Sequence, residues 1–417
     1  MNSRKVKISA LESVTNFNNY RQKIILIIQL IINKMKKFLF SLMMLVTMST
    51  LLVLTSCDNE SGPIDKTDEE DKNLVGSING VKNLDKTVEY LITGPVIIEE
   101  GGTLNIPAGT VIKAKQGFEN YILVLQGGKI NVAGTASEPV TITADKNNAE
   151  QGHWGGLIIN GKAPLSGGEI GTTEINSDYQ YGGTNVSDNS GSITYLKLEY
   201  TGARSDADVE HNGLTLNGVG NGTKIENVFI PYGADDGIEF FGGSVNVKNL
   251  LVVNSDDDMF DFTQGYSGTL ENAYGIWEPG FVSSESDPRG IEADGNLDGN
   301  NPDQTGQSDF TVKNMTIDLR LDASTAEGYY MHDVIKVRRG AKAVIENALV
   351  IGQGQAKDLV DVNDGKGAGD PSTNISITSK LTTPLSGLKL NGAAILTEEE
   401  ANTGCATDIF SWTNYEF

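Results

Sequence analysis

The sequence is poor in cysteine, histidine and basic residues. Its 417 residues include two cysteines, three histidines and 32 lysines and arginines, against 55 aspartates and glutamates. Two cysteines are too few for a disulfide scaffold or for a cysteine-rich metal site. A formal charge of −23 excludes a nucleic-acid-binding protein, which needs a basic surface to neutralise phosphates. The same sign excludes charge-driven adhesion to anionic lipid.

Apolar residues are also scarce, at 38%, whereas glycine is abundant, with 48 residues. Soluble domains usually contain more apolar side chains and less glycine. This combination favours a turn-rich β protein with thin core layers over a helical protein.

The first 56 residues differ in charge from the rest. They hold eight basic residues and one acid, so the remaining 361 residues carry 24 basic and 54 acidic side chains, a net of −30. Met35-Lys36-Lys37 is followed by the apolar run 38–54, which is short for a membrane span. We interpret 35–56 as a signal peptide and 1–34 as an extension from a misassigned start codon. An uncleaved membrane anchor is the alternative.

The signal ends at Leu54-Thr55-Ser56-Cys57, which resembles the lipobox of bacterial lipoproteins. The resemblance implies that Cys57 is acylated and that its lipid holds the protein at the outer membrane. Residues 57–73 contain seven acids, two lysines and no aromatic residue, which predicts a solvated tether. Acidic residues directly after the cysteine resemble the surface-export signal of some Gram-negative lipoproteins, which implies a position facing the cell exterior.

The body of the chain is a repeat. Five segments share the order apolar, charged, asparagine, apolar, with asparagines spaced by 22, 23, 42 and 33 residues. A second segment type alternates with the first, as in Asp236–Phe240 and Asp258–Phe262. The repeated asparagines are Asn227, Asn249, Asn272, Asn314 and Asn347.

A period near 22, built from short strands and Gly/Asn/Asp turns, predicts an all-β fold, a right-handed parallel β-helix over residues 74–380. Leucine-rich repeats would need a leucine-rich consensus and a helical segment, which the repeat lacks. The recurrent asparagine predicts an amide ladder that bonds turn backbone. The long steps predict loops at 278–309 and 318–331. Residues 381–417 lose the period, which predicts a C-terminal cap.

Several strings, among them GGTLNIPAGTVIKA, GHWGGLIINGKAP and DDGIEFFGGSVNVKNL, resemble an uncharacterised group of secreted or lipid-anchored bacterial β-helix proteins. The resemblance covers about residues 94–365. It implies the β-helix fold and a location in the outer membrane, and it brings no established catalytic residues.

Strand alternation predicts an outward-facing row on one face of the helix. Because coils stack about 4.8 Å apart, Glu239 and Asp261 are spaced like the carboxylates of a retaining glycosidase, roughly 5 Å. If the protein is an enzyme, these two residues and Arg289 are the candidate catalytic groups. A solvated acidic face is the alternative. The whole row is Thr215, Glu239, Asp261, Glu292, Lys336 and Asp361.

The turns before these strands place four carboxylates on adjacent coils: Asp235, Asp236, Asp257 and Asp258. Oxygen-only clusters favour calcium, and a β-helix lyase would combine such calcium with a basic residue, here Arg289. A ladder of side chains that bond turn backbone is the alternative.

A second calcium candidate is Asp294, Asn296 and Asp298, which match the first half of an EF-hand loop. The match is incomplete because Thr305 stands where that loop has glutamate. An ordinary series of Asx and glycine turns also fits the pattern.

Aromatic residues near the predicted loops are candidates for stacking on sugars. Rings that cap an edge of the solenoid are the alternative. Cys405 has no partner once Cys57 is acylated, which predicts a buried apolar side chain. The candidate aromatic residues are Tyr179, Tyr181, Trp277, Tyr329 and Tyr330.

Two functions fit these patterns. One is a non-catalytic surface lipoprotein that presents its loops to a glycan or protein ligand, with an outer-membrane transporter as a further partner. The other is a polysaccharide-active enzyme, a lyase or a hydrolase, working along the strands of Glu239 and Asp261. Because a net of −30 repels acidic polymers, the sequence favours the binding module.

Overall fold

The computed structural model describes residues 72–205 and 209–417. Cys57, the predicted signal peptide and the N-terminal extension lie outside these residues, so the lipid anchor stays a prediction. No helix within the described residues is both long and apolar enough to cross a bilayer.

The described chain is built from strands that are mostly four to eleven residues long. Up to residue 198 they are β1 (Asn73–Ile78), β2 (Val81–Asn83), β3 (Tyr90–Ile98), β4 (Thr103–Pro107), β5 (Val111–Ala114), β6 (Gly117–Val124), β7 (Lys129–Ala133), β8 (Val140–Ala144), β9 (Trp154–Asn160), β10 (Gly171–Thr173), β11 (Asn176–Tyr181) and β12 (Gly191–Leu198).

The second half continues in the same way, and short 3-10 turns cover Ser166–Gly168, Leu297–Gly299 and Asp408–Thr413. Its strands are β13 (Leu214–Asn217), β14 (Lys224–Pro231), β15 (Ile238–Phe241), β16 (Asn246–Val253), β17 (Phe260–Thr263), β18 (Thr269–Trp277), β19 (Arg289–Ala293), β20 (Asp309–Leu319), β21 (Tyr330–Lys336), β22 (Lys342–Gly352), β23 (Gln355–Asp361), β24 (Asn374–Leu381), β25 (Leu390–Asn391) and β26 (Ile395–Glu398).

The strands stack in parallel, each pairing with the equivalent strand one coil away, which confirms the predicted parallel β-helix. One face, which we call the pocket face, is the column β6, β9, β13, β15, β17, β19, β21, β23 and β25. The long strands form a second column in the same coils: β14, β16, β18, β20, β22 and β24. Only β10 and β11, among the described strands, pair with each other as an antiparallel hairpin.

The predicted asparagine ladder is present at the bend of the long strands. Asn249 Nδ2 donates to Asn227 Oδ1 at 2.9 Å, and Asn272, Asn314 and Asn347 each repeat this bond to the preceding asparagine. All five have φ between 53° and 59°. Asparagine tolerates this left-handed conformation better than most residues, so it can bend the strand and still bond the next coil.

The core runs along the axis and consists of the inward residues of each coil. Phe240, Phe262 and Phe310 stack in consecutive coils, with ring centroids 5.0 and 4.2 Å apart. Burial of a side chain of this size stabilises the fold by about 1.5–3 kcal/mol. The continuous stack therefore requires each coil to keep the same register as its neighbours.

The C-terminal segment differs from the predicted end cap. β25 and β26 continue the stack as far as Glu398. Residues 403–415 then lie along the side of the long strands, where Phe410 and Trp412 pack on Phe229, Leu251 and Tyr274. The period is lost here because the segment covers outward apolar residues of several coils, and so it does not form a coil of its own. Cys405 is buried in this cluster, as predicted.

Candidate functional site

The predicted outward row of the pocket face is present in the expected register. Thr215 pairs with Glu239, Glu239 with Asp261, and Asp261 with Glu292. The row is not the solvated face that strand alternation suggests, because Thr215, Glu239 and Lys336 are only 7–9% exposed. Side chains that point away from the core are here covered by loops.

A pocket of about 680 Å³ lies over this row. The β10–β11 hairpin and residues 297–298 form its walls, and the outward residues of β9, β13 and β15 form its floor. Its lining residues are Ile158, Glu169, Ile170, Gly171, Thr172, Thr173, Glu174, Ile175, Tyr181, Glu210, Asn212, Thr215, Asn217, Glu239, Phe241, Gln264, Leu297 and Asp298.

Glu239 lies at the floor of the pocket and is hydrogen-bonded to Asp261 on the next coil. Asn212 Nδ2 donates to Glu239 Oε2 at 2.6 Å. Burial, then the negative charge of Asp261, raises the pKa of Glu239 well above its usual value. The hydrogen bond between the two raises the pKa of Glu239 and lowers that of Asp261. Burial also raises the pKa of Asp261 well above its usual value, so this pair keeps protons to a higher pH than free carboxyl groups do.

Glu210 also lines the pocket, and its carboxyl group is hydrogen-bonded to Asp235 behind the lining. Burial, then the charge of Glu210, raises the pKa of Asp235 well above its usual value. Burial also raises the pKa of Glu210, but Arg204 Nη1, 3.0 Å from Glu210 Oε1, and the hydrogen bond from Asp235 oppose the shift. The pKa of both members of this pair is therefore raised, and Arg204 is the basic group that limits the rise at Glu210.

The predicted turn column brings its carboxylates together. Asp236 Oδ1 accepts from the backbone N–H of Asp258 at 2.9 Å, as the turn-ladder alternative requires. Oxygens of Asp235, Asp236 and Asp257 nevertheless lie within 4.8 Å of one another. Burial, followed by the charge of Glu292, raises the pKa of Asp257 to about 7. The buried Oδ1 atoms of Asp257 and Asp258 have no hydrogen-bond partner among the described residues. The group offers oxygen ligands that fit a hard cation such as calcium.

Arg289 is buried among acids. Its guanidinium bonds Asp287, lies 2.6 Å from Glu292 and 3.7 Å from Asp258, and is 4% exposed. Although its burial lowers the pKa, the surrounding carboxylates, first Asp258, outweigh this and raise it further above its usual range. Arg289 therefore neutralises the acidic row and cannot release a proton to act as a base.

The EF-hand-like loop has most of its oxygens engaged by protein groups. Asp294 pairs with Arg338 at 2.8 Å and Arg339 at 2.6 Å. Asn296 Oδ1 accepts from the backbone N–H of Asn301 at 2.8 Å. Asp298 instead lines the pocket. The loop thus forms one wall of the pocket, a role that its sequence did not indicate.

The predicted aromatic candidates separate into different environments. Trp277 is fully buried, with Nε1 donating to Ser255 O at 3.1 Å, so its prediction as an exposed ligand platform is wrong. Trp277 is the last residue of β18, and the loop that follows covers its ring. Tyr181 lines the pocket, Tyr179 packs beside Tyr121, and Tyr329 is 45% exposed away from the lining. The last of the five, Tyr330, lies in β21, where it is the register partner of Gln355 on β23.

Sequence reasoning missed several pocket residues: Glu210, Asn217, Phe241 and the hairpin residues 169–175. It placed Asp361 in the outward row but did not predict that Asp361 joins Asp333 and Asp358 in one buried acidic group, where Lys336 Nζ lies 2.6 Å from Asp361. The register of the second repeat type could have pointed to Phe241 and Asn217, because both follow the outward row by two residues.

A family model described as "Pectate-lyase like beta helix domain" matches residues 76–415. The chain belongs to this family. As a pectate-lyase-like β-helix domain it has the fold that its repeat predicts, from the first coils to the C-terminal segment. No curated protein matches it.

Solved structures similar to this β-helix domain include the catalytic domain of a GH87 alpha-1,3-glucanase in complex with tetrasaccharides. The identity is 12% and the TM-score 0.30, over 76% of this chain and 62% of that chain. The catalytic domain of a GH87 alpha-1,3-glucanase in complex with nigerose gives 12% identity and a TM-score of 0.26, over 77% and 62%. The chain thus spans less than two thirds of these domains, and similarity this distant says nothing about substrate or mechanism here.

Proposed function

We propose that this β-helix domain is a polysaccharide hydrolase, with Glu239 as the general acid and Glu210 as the base that activates water. The observation that carries this proposal is that Glu239 and Glu210 line one pocket, each hydrogen-bonded to a second carboxyl group, Asp261 and Asp235 respectively. Burial raises the pKa of Glu239 well above its usual value, which suits a general acid, and Arg204 Nη1 lies 3.0 Å from Glu210 Oε1. Two carboxyl groups facing the same cavity, one of them with a raised pKa, is the arrangement that glycoside hydrolysis requires.

In the proposed reaction, Glu239 donates its proton to the glycosidic oxygen as the bond from that oxygen to the anomeric carbon breaks. Glu210 accepts a proton from a water molecule whose oxygen bonds to the anomeric carbon. After this step Glu239 carries a negative charge and Glu210 carries a proton. Proton exchange with solvent then returns both residues to their starting states. Asp261 and Asp235 act as positioning residues, because each is hydrogen-bonded to one of the two reacting carboxyl groups.

Asn212 connects the two proposed catalytic residues, because it follows Glu210 by two residues and its Nδ2 donates to Glu239 Oε2 at 2.6 Å. Glu239 and Asp261 are in hydrogen-bond contact. They are thus closer than the roughly 5 Å of a retaining pair, which revises the role suggested by their coil spacing alone.

A lyase is less well supported. Eliminative cleavage needs a base that gives up its proton near neutral pH, and Arg289, the basic residue predicted for that role, is held in the charged state by its acidic neighbours. Binding without turnover, the function favoured by the sequence, would use the same pocket and is an outcome of the test below.

The test is a panel of polysaccharides assayed for new reducing ends and, separately, for unsaturated products. Replacing Glu239 with Gln, or Glu210 with Gln, is expected to lower turnover by roughly 10²–10⁴-fold, the usual contribution of a positioned acid or base. Turnover should also fall as pH rises through the raised pKa of Glu239, since the acid must be protonated. The matched control is Glu271→Gln, which lies on another face beside Lys248 and should leave turnover unchanged.

Turnover that survives Glu239→Gln would contradict the assignment of the acid. Binding of a glycan without any turnover in the unmodified protein would favour the non-catalytic module instead. An unsaturated product would identify a lyase.

A further inference from the structure

Asn217 presents an unused hydrogen-bond acceptor at the pocket. Its side chain is 2% exposed, and Nδ2 donates to Asn160 Oδ1 at 2.9 Å. Asn160 Nδ2 in turn donates to Gln180 O at 3.2 Å, which fixes the orientation of both amides. Asn217 Oδ1 is then buried without a donor among the described residues. Such an atom is costly unless a ligand supplies the donor.

An apolar surface lies directly beside this acceptor. Phe241 is the register partner of Asn217 on the next coil, and it follows Glu239 by two residues, so the two share one face of β15. The ring of Tyr181 lies 6.2 Å from that of Phe241, and its hydroxyl donates to Gln264 Oε1 at 2.7 Å. Because two strand residues span roughly 6.6 Å, Phe241 is about one sugar ring away from the proposed acid.

Two further apolar side chains extend this surface along the wall. Ile170 is 55% exposed and Leu297 39% exposed, yet both line the pocket. Exposed apolar residues that gather around a concave surface with a few polar groups are typical of ligand sites.

The charges of the lining decide which sugars fit. Among the described residues that line the pocket, five carry carboxyl groups and none is a lysine or an arginine. A uronate or sulfated sugar would meet only negative potential there. The lining acids are Glu169, Glu174, Glu210, Glu239 and Asp298.

We propose that Asn217, Phe241 and Tyr181 form a binding subsite for an uncharged sugar unit next to the bond that is cleaved. The apolar face of the sugar ring lies on Phe241, and one of its hydroxyl groups donates to Asn217 Oδ1. The position relative to the cleaved bond rests on the proposed hydrolase, whereas the subsite itself can be tested by binding alone.

The experiment measures binding by calorimetry in the Glu239→Gln protein, which cannot consume its ligand. The probes are soluble oligosaccharides of three charge classes: neutral gluco- and galacto-oligosaccharides, chitosan oligosaccharides and oligogalacturonates. We expect a neutral oligosaccharide to bind, and Phe241→Ala and Asn217→Ala each to weaken its binding about tenfold or more. Tyr329→Ala removes an exposed ring outside the lining and should leave affinity unchanged.

Asn217→Ala also removes the bond to Asn160, so Asn217→Ser is measured beside it together with the melting temperature of each variant. A loss of affinity in the Ser variant at an unchanged melting temperature supports the subsite. Preferential binding of oligogalacturonate or chitosan, unchanged affinity in the Phe241 and Asn217 variants, or no binding in any class would overturn it.

The subsite and the hydrolase can fail separately. If neutral sugar binds through Asn217 but the unmodified protein shows no turnover, the subsite stands and the hydrolase fails. If the unmodified protein turns over a glycan and the Asn217 and Phe241 variants do so equally well, the hydrolase stands and the subsite fails.

Discussion

Two outward rows of this β-helix lie on the same coils, but charges alternate in sign along one row and have the same sign along part of the other. On the long strands, Glu226, Lys248, Glu271, Lys313 and Glu346 alternate in sign in strict register. On the pocket face, Glu239, Asp261 and Glu292 place like charges side by side. Coils about 4.8 Å apart make alternation the stabilising choice. A buried row of like charges therefore lowers the stability of the fold, which makes this face the candidate functional face.

The two rows also differ in exposure. The alternating row is solvated, with the Lys248 and Glu271 side chains 45% and 39% exposed. The pocket row lies under the hairpin and the 294–308 loop, so its charges are weakly screened. Burial is the first cause of the raised pKa of both Glu239 and Asp261. The difference between the rows thus comes from what covers them as much as from their residues.

The largest expected difference is in how stability depends on pH. Because Glu239 and Asp261 have folded-state pKa values above their unfolded values, as has Asp257 in the turn before Asp261, at about 7, stability is fully present below about pH 4. It is lost as pH rises through the folded values. We expect the free energy of unfolding to fall by a few kcal/mol between about pH 5 and 8, measured by denaturant melts at each pH.

Replacing Glu239 with Gln and Asp261 with Asn should flatten that dependence. The same pair of changes on the alternating row, Glu226→Gln with Glu271→Gln, should leave it as it is. Equal curves for both double variants would contradict the distinction between the rows.

Calcium should act on the pocket face alone and by a smaller amount. A cation held by Asp235, Asp236 and Asp257 would replace protons on those carboxyls and stabilise the fold by about 2.7 kcal/mol at a hundredfold excess over its dissociation constant. The check is the melting temperature at about pH 8 with calcium and with chelator. Asp257→Asn should remove the shift and Asp309→Asn, an exposed acid elsewhere, should keep it. An identical melting temperature with and without chelator would rule out the site.

The smallest effect is expected on the solvated row. Lys248→Glu places a third acid between Glu226 and Glu271, but exposed charges interact weakly, so the cost should stay below about 1 kcal/mol. Urea unfolding in low and high salt measures it, and salt should remove most of the effect. A cost of several kcal/mol would mean that exposure does not separate the two rows.

Periodic features could be predicted from the sequence. The ladder of asparagines between Asn227 and Asn347 could be predicted because each coil repeats the same bend. The row of Thr215, Glu239 and Asp261 could be predicted from strand alternation. Both depend only on neighbours one period away. Local pattern was therefore enough to place these residues.

The pocket could not be predicted in this way. Asn217 and Phe241 come to line a pocket only because the β10–β11 hairpin, which ends 36 residues before Asn217, forms the wall beside them. The surroundings of Trp277 and Asp294 could not be predicted for a related reason: the loop after Trp277 buries its ring, and Arg338 and Arg339 of the next coil pair with the Asp294 carboxylate. Insertions interrupt the period, so the period does not predict which residues the insertions contact.

By itself, the sequence determined a β-helix with a basic N-terminal segment, an acidic body and a like-charged row, because a repeat converts spacing along the chain directly into spacing between coils. Only the tertiary structure decided that this row is covered, that burial raises the pKa of its carboxyl groups, and that apolar residues and an unpaired amide oxygen lie beside them. Those properties depend on burial by segments that are distant in the chain, and burial is what turns an ordinary acidic strand into groups of unequal pKa.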